Sequence, residues 1–246
     1  MIVIPMAGMS RRFSEAGYAA PKYMLPLHGR SVFAHAVGSF ADCFAREEFL
    51  FIARDIAGTA EFIAAECAAM GLRDARVAML TAPTAGQAES VETGLRQASV
   101  GDATQLTIFN IDTFRPGFRF PEAPWWAGSD GYLEVFHGSG ANLSYVRPAP
   151  GPEPLAVETA EKRPLSNLCC TGLYHFARAG DFSAALAWER EAPSAPELYV
   201  APLYNHLIRR GRLIHYQIIG AASVVFCGVP AEYRALLGQA SGDPGG

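Results

Sequence analysis

The sequence predicts an α/β fold: a mainly parallel sheet flanked by helices. Short apolar, β-branched runs alternate with amphipathic helical stretches through the first half of the chain. The first of these runs, Ile2 to Pro5, breaks into a loop rich in Gly, Pro and charge. Its 246 residues, half of them hydrophobic and only 18% charged, suffice for a substantial core.

The elements follow in order. Ile2 to Pro5 reads as a buried strand, and residues 7–23 as a loop at its carboxyl end. Ser31 stands at an N-cap position, with Val32, Phe33, Ala36, Val37, Phe40 and Phe44 at helical spacing beyond it. Residues 49–53 give a second strand, Ala60 to Met70 a helix stopped by Gly71, and 76–80 a third strand. Gln87 to Ala98 forms a further amphipathic helix, and 105–110 an apolar strand ending just before Asp112. After Asp112 the pattern changes to shorter strands at 131–136, 143–147 and 168–176, divided by Gly, Asn and Pro. A helix over Pro196 to Arg210, strands near 213–219 and 222–226, and a last helix from Pro230 to Leu237 complete the reading. One domain over 1–240 is expected, with a nucleotide-binding half at 1–115, an acceptor-binding half at 116–240 and a flexible tail at 241–246.

A formal charge of −4 excludes a broad electrostatic grip on nucleic acid, so an anionic ligand must be small and locally held. The five cysteines match neither a zinc site nor a redox pair, and reduced thiols in a cytoplasmic protein are expected. No run reaches the roughly 20 apolar residues of a membrane helix, and the apolar start without a basic region leads us to expect no cleaved secretion signal.

In an open parallel sheet ligands bind beyond the carboxyl ends of the strands, which is where Gly8 falls. A dinucleotide fingerprint requires Gly at positions 8, 10 and 13, but Ser10 and Phe13 occupy the last two. A P-loop is excluded because no Gly-Lys-Ser or Gly-Lys-Thr occurs. There remains a Gly-containing turn whose backbone N–H groups suit phosphates, with Arg12 and Lys22 supplying positive charge.

These residues, M-A-G-M-S-R-R-F…P-K, resemble the G-x-G-x-R-F…P-K signature of bacterial sugar-phosphate nucleotidyltransferases (nucleoside-diphosphate-sugar pyrophosphorylases). The resemblance continues in the family's order through T-A-G-Q-A-E-S-V (84–91), N-I-D (110–112), A-E-K (160–162), C-T-G-L-Y-H-F (170–176) and E-L-Y-V-A-P-L-Y-N-H-L-I (197–208). It implies a Rossmann-like mixed sheet of the nucleotide-diphospho-sugar transferase, GT-A-like type. It also implies that Ala7, Gly8, Met9, Ser10, Arg12 and Lys22 hold an NTP's triphosphate, that Gly86 and Gln87 read the base, and that Asp112 binds Mg²⁺. Glu161, Lys162, Gly172, Glu197, Tyr204 and Asn205 would form the acceptor site, with Lys162 meeting the acceptor's phosphate and a Glu197 to Asn205 helix shaping the pocket.

Two departures stand out. Ser10 replaces the motif's second glycine, and Phe226 stands where the family's C-terminal D-x-G-T has a second metal carboxylate. The expected activity is transfer of NMP from an NTP to a small phosphorylated acceptor, a sugar 1-phosphate or a group such as phosphocholine, for capsule or surface-glycan precursors. A phosphate monoester is ionised at neutral pH, so the reaction requires no general base. The alternatives are a glycosyltransferase using an NDP-sugar and, because of Phe226, a nucleotide-binding paralogue without turnover.

Overall fold

The computed structural model describes residues 1–239. Its strands are β1 (Ile2–Pro5), β2 (Pro26–Leu27), β3 (Arg30–Ser31), β4 (Phe49–Arg54), β5 (Ala75–Leu80), β6 (Leu106–Phe109), β7 (Thr113–Phe114), β8 (Gly131–His137), β9 (Ser144–Pro148), β10 (Ala156–Glu161), β11 (Leu168–Phe176), β12 (Ile214–Ile219) and β13 (Val225–Phe226). The helices are α1 (Arg11–Glu15), α2 (Val32–Gly38), α3 (Thr59–Met70), α4 (Gln87–Gln97), α5 (Ala179–Glu191), α6 (Leu203–Ile208) and α7 (Pro230–Gly238). The tail expected at 241–246 lies outside the described residues.

Nine strands form one sheet along the path β10-β9-β11-β6-β1-β4-β5, with β8 on β11 and β12 on β8. From β6 to β5 the pairing is parallel, the register running Ile2↔Phe49, Ile2↔Thr107 and Phe49↔Ala75. Beyond β6 the long strand β11 runs antiparallel to β6, β8 and β9, while β12 returns parallel to β8.

The apolar runs of β1 and β4 carry side chains to both faces in turn. Val3, Leu50 and Ile52 pack with Ala88, Val91 and Leu95 of α4 and with α5 and α6. Ile2, Ile4, Phe49 and Phe51 pack on the other side with Val32, Phe33 and Val37 of α2 and with Ile63 and Cys67 of α3. Ser31 caps α2 as its sequence implied, its side chain accepting the Ala34 N–H at 2.9 Å.

Several boundaries differ from the sequence reading. The expected loop at 7–23 contains the short helix α1 and a 3-10 turn over Lys22–Met24. The expected helix Pro196 to Arg210 contracts to α6, and residues 197–200 are non-helical. The reason is a long-range backbone pairing: Leu198 N–H donates to Ala85 O at 3.0 Å and Ala88 N–H to Leu198 O at 2.9 Å. The longer elements β10 and α5 and the two-residue strands β2, β3 and β7 have no counterpart in that reading. The strand near 222–226 shortens to β13, preceded by a 3-10 turn at Ala221–Ser223. Among the described residues, no helix is long and apolar enough to cross a membrane.

Candidate active site

A cleft of about 1020 Å³ opens at the carboxyl ends of β1, β4 and β6, and its wall runs from the Met6–Ser10 loop to β11 and the 197–200 segment. Ala7, Gly8, Met9, Ser10, Arg12, Lys22, Gly86, Gln87, Asp112, Glu161, Gly172 and Glu197 all line it.

The amino-terminal loop is held by α1, whose buried Phe13 packs against Tyr18 and Tyr233 at centroid distances of 5.6 and 6.1 Å. Ser10, the residue in place of the motif's second glycine, adopts the left-handed backbone (φ 49°, ψ 30°) that glycine takes freely. The turn is thus kept at a cost of about 1–2 kcal/mol in backbone strain. A Cβ built on Gly8 meets nothing within 4 Å, leaving open space above the loop. Arg12 reaches over the cleft to the opposite rim, where its guanidinium donates to Asn142 Oδ1 at 3.4 Å.

Lys22, in its 3-10 turn after Pro21, pairs directly with Asp112 Oδ2, and both side chains remain about one-fifth exposed. Asp112 follows β6, and its backbone carbonyl accepts the Cys227 N–H at 2.8 Å, tying it to the β7–β13 ladder. Phe226 turns its ring to Phe136, 5.5 Å away between centroids, and offers no carboxylate. Glu232, in the first turn of α7, also lines the cleft; its Oε2 accepts the Gly228 and Val229 N–H groups at 2.7 and 3.1 Å. A Cβ at Gly228 would crowd Asp112 Oδ2 at 3.1 Å and lie 3.7 Å from Glu232 Oε2. Two carboxylates therefore face one small space that any side chain at 228 would fill. Hard oxygen donors of this kind suit Mg²⁺, which commonly takes one or two protein carboxylates and completes its shell with phosphates and water.

The base-side loop is built around a close approach. A Cβ on Gly86 would lie 2.5 Å from Leu198 O and 2.6 Å from Leu198 N, so only glycine admits the backbone pairing with the 197–200 segment. Glu89 Oε2 accepts the Ala85 N–H at 2.6 Å, and Gln87 Nε2 donates to Asn110 Oδ1 at 2.7 Å. Asn110 in turn packs under Gly172, whose φ of +97° lies at the β11 register shift and whose Cβ would strike Asn110 Nδ2 at 2.6 Å.

On the far wall Glu161 accepts a hydrogen bond from Ser144, whose hydroxyl also meets Tyr174 OH at 3.0 Å. Burial pushes the Glu161 carboxyl above its ordinary range, partly countered by Ser144 and Lys162. Lys162 does not line the cleft; it sits at the rim, donating to Tyr199 OH at 2.6 Å. Tyr204 and Asn205, expected in the acceptor site, do not reach the cleft. Tyr204 is fully buried, donating to His175 O at 2.8 Å, and Asn205 pairs both ways with the Thr159 backbone at 2.8 Å, fixing β10 on α6.

Among the cleft residues that escaped the sequence reading are Arg54, Asn142, Ser144 and Glu232, and Tyr199 entered it only as part of the expected Glu197 to Asn205 helix. Arg54 had a local signal, a cation ending a buried strand at the ligand-binding edge. Glu232 also had one, an acid two residues after the helix-starting Pro230. Lys22 and Lys162 are the only lysines in the chain, against 18 arginines.

The cleft lies at the switch from parallel to antiparallel strands, with cations and an aspartate at its strand ends, an arrangement suited to a nucleotide. Residues 2–116 match the MobA-like NTP transferase domain. The crystal structure of the nucleoside-diphosphate-sugar pyrophosphorylase from Vibrio cholerae RC9 shares 48% identity and a TM-score of 0.92, over 97% of this chain and 100% of that one. The inositol-1-phosphate CTP transferase from T. maritima (TM-score 0.73, 96% and 94% covered) and the UTP-bound UGPase from Acinetobacter baumannii (0.68, 96% and 91%) share 16% and 15% identity, a likeness of fold. No curated protein matches the chain. The chain belongs to the sugar-phosphate nucleotidyltransferase family and is an enzyme of that type.

Proposed function

We propose that the protein transfers NMP from an NTP to a small phosphorylated acceptor, a sugar 1-phosphate first among the candidates, and releases pyrophosphate. The pairing of Lys22 with Asp112 in the cleft, beside the Ala7–Ser10 loop, carries the reading: a phosphate-binding cation and a metal-binding carboxylate hold each other where a triphosphate would sit.

On nucleotide binding Lys22 exchanges its carboxylate partner for a phosphate, and Arg12 leaves Asn142 to add a second cation. Asp112 and, across the Gly228 position, Glu232 are the residues that would hold Mg²⁺, which would supply neutralisation of charge on the triphosphate. Gly86 and Gln87 receive the base. Glu161, Glu197 and Gly172 orient the acceptor, with Lys162 at its phosphate. An acceptor phosphate oxygen then attacks the α-phosphorus; the new P–O bond forms as the α–β anhydride bond breaks, and pyrophosphate leaves with the electron pair. The acceptor is already ionised, so catalysis rests on alignment and charge balance. Supply of activated precursors for capsule or surface glycans in the cytoplasm fits this chemistry.

The test follows the label. With Mg²⁺ and a panel of sugar 1-phosphates and phosphocholine, label from [α-³²P]NTP appears in an acceptor conjugate and label from [γ-³²P]NTP in pyrophosphate. Release of label with no conjugate from any acceptor contradicts the reading.

A further inference from the structure

Lys162 is the one cation expected at the acceptor, yet it stands outside the cleft wall while Tyr199 stands in it. Its ammonium donates to the Tyr199 hydroxyl at 2.6 Å and lies 4.5 Å from the ring centroid. Its backbone is left-handed (φ +55°), unusual for a lysine, and is held by Lys162 N–H donating to Leu143 O at 2.9 Å. The side chain therefore leaves β10 in a direction set by the backbone, and the phenol fixes where it ends.

The residue before Tyr199 is Leu198, whose N–H and C=O are both bonded to the base-side loop, at Ala85 and Ala88. The close approach at Gly86 leaves that contact no slack. One peptide unit thus separates the group that touches the base-side loop from the group that holds the acceptor-side lysine.

We propose that Tyr199 is a positioning residue that couples the two substrate sites: its phenol holds Lys162 for the acceptor phosphate, and its place is set by the docking of Leu198 on the Ala85–Ala88 loop. A nucleotide that orders that loop also orders Lys162, so each substrate raises affinity for the other by the same factor. The inference rests on the reading of Gly86 and Lys162 given under Proposed function.

The lysine content makes a direct test possible. Reductive methylation with formaldehyde and a borane, followed by mass spectrometry, reads Lys162 against the lysine of an added unrelated peptide, with Lys22, whose own partner changes on nucleotide binding, followed separately. Tyr199→Phe keeps the ring and removes the hydroxyl; Lys162 is expected to react several-fold faster in it, at an unchanged folding midpoint. Adding the tightest binder among ATP, GTP, CTP, UTP and dTTP slows Lys162 further in the wild type but not in the variant. Equal Lys162 rates in both proteins overturn the proposal, whether or not any acceptor is turned over.

In steady-state kinetics Tyr199→Phe raises the acceptor KM about tenfold or more, the worth of one hydrogen bond to a charged group, with kcat near wild type; the NTP KM stays near wild type at low acceptor and rises at saturating acceptor, because the coupling is reciprocal. The same substitution adds nothing in a Lys162→Ala background. Independent, additive losses show that Tyr199 acts otherwise than through Lys162. A lack of conjugate with every acceptor defeats the proposed function instead, and the methylation result is read separately.

Discussion

Gly86→Ala places a methyl group 2.5 Å from Leu198 O and 2.6 Å from Leu198 N, where ordinary contact begins near 3.4 Å. The Leu198 backbone must therefore recede by about 0.9 Å (3.4 − 2.5). That displacement stretches the two pairings, now 2.9 and 3.0 Å, beyond hydrogen-bonding range. The φ of Gly86, +159° with ψ −180°, is one that L side chains rarely adopt, so alanine adds backbone strain to the displacement. Two backbone hydrogen bonds at about 1 kcal/mol each and about 1–3 kcal/mol of strain give a net loss of about 3–5 kcal/mol. Urea unfolding should show this as a lowered midpoint with an unchanged slope, and NTP affinity should fall with it. Gly8→Ala is the control: its Cβ meets open space, so stability stays within about 0.5 kcal/mol of wild type, while the methyl intrudes where the triphosphate is assigned and weakens NTP binding. A Gly86→Ala protein with wild-type midpoint and affinity refutes the close-approach argument.

Further predictions follow from the same geometry. Asp112→Asn leaves the fold intact and abolishes Mg²⁺-dependent turnover; wild-type rates in that variant show the metal site to be misassigned. Glu232→Gln keeps an oxygen to accept the Gly228 and Val229 N–H groups but removes the charge, so the unfolding midpoint holds while Mn²⁺ affinity in the presence of NTP, read by electron paramagnetic resonance, falls about tenfold. An unchanged Mn²⁺ affinity reduces Glu232 to a helix cap. His175 is buried on β11, its Nδ1 3.0 Å from Thr107 Oγ1, and burial, assisted by the terminal ammonium, lowers its pKa from 6.5 to about 3. The neutral ring is favoured in the folded state, so its stabilisation is present above pH 6.5 and is lost as the pH falls from there toward 3. Between pH 6 and 4 the wild type should lose up to about 1.4 kcal/mol per pH unit more than His175→Gln; parallel pH profiles contradict this.

The parallel half was legible because β1, β4 and β6 are continuous apolar runs bounded by Gly, Pro and charge, and their carboxyl ends locate the cleft. α5 was not legible: Gly180, Asp181 and Ser183 weaken its first turns, and its buried face includes Ala179, Ala185 and the carboxylate of Glu189, so the apolar contrast is slight. β10 reads A-V-E-T-A-E, with Val157 exposed and Ala160 buried, against the usual alternation. The 197–200 segment shows the limit most clearly. Its composition suits a helix, but a backbone pairing with Ala85 and Ala88, over a hundred residues away, outweighs propensity. The same long-range contact sends Tyr199 to the cleft and leaves Tyr204 and Asn205 behind it. Resemblance carried Asp112, Lys22 and Gly86 to the cleft, whereas the facing of Glu232 and Asp112 across Gly228 depends on how α7 meets β13, which no local pattern records.

The assigned chemistry requires a triphosphate lying over the Ala7–Ser10 loop with a divalent ion at Asp112. A crystal grown with Mn²⁺ and a non-hydrolysable NTP, measured at the manganese edge, tests this most directly. An anomalous peak about 2.1 Å from an Asp112 carboxylate oxygen, with phosphates bridging it to Lys22 and the loop, is the predicted result. A nucleotide bound with its phosphates elsewhere, or an ion that bypasses Asp112, contradicts it.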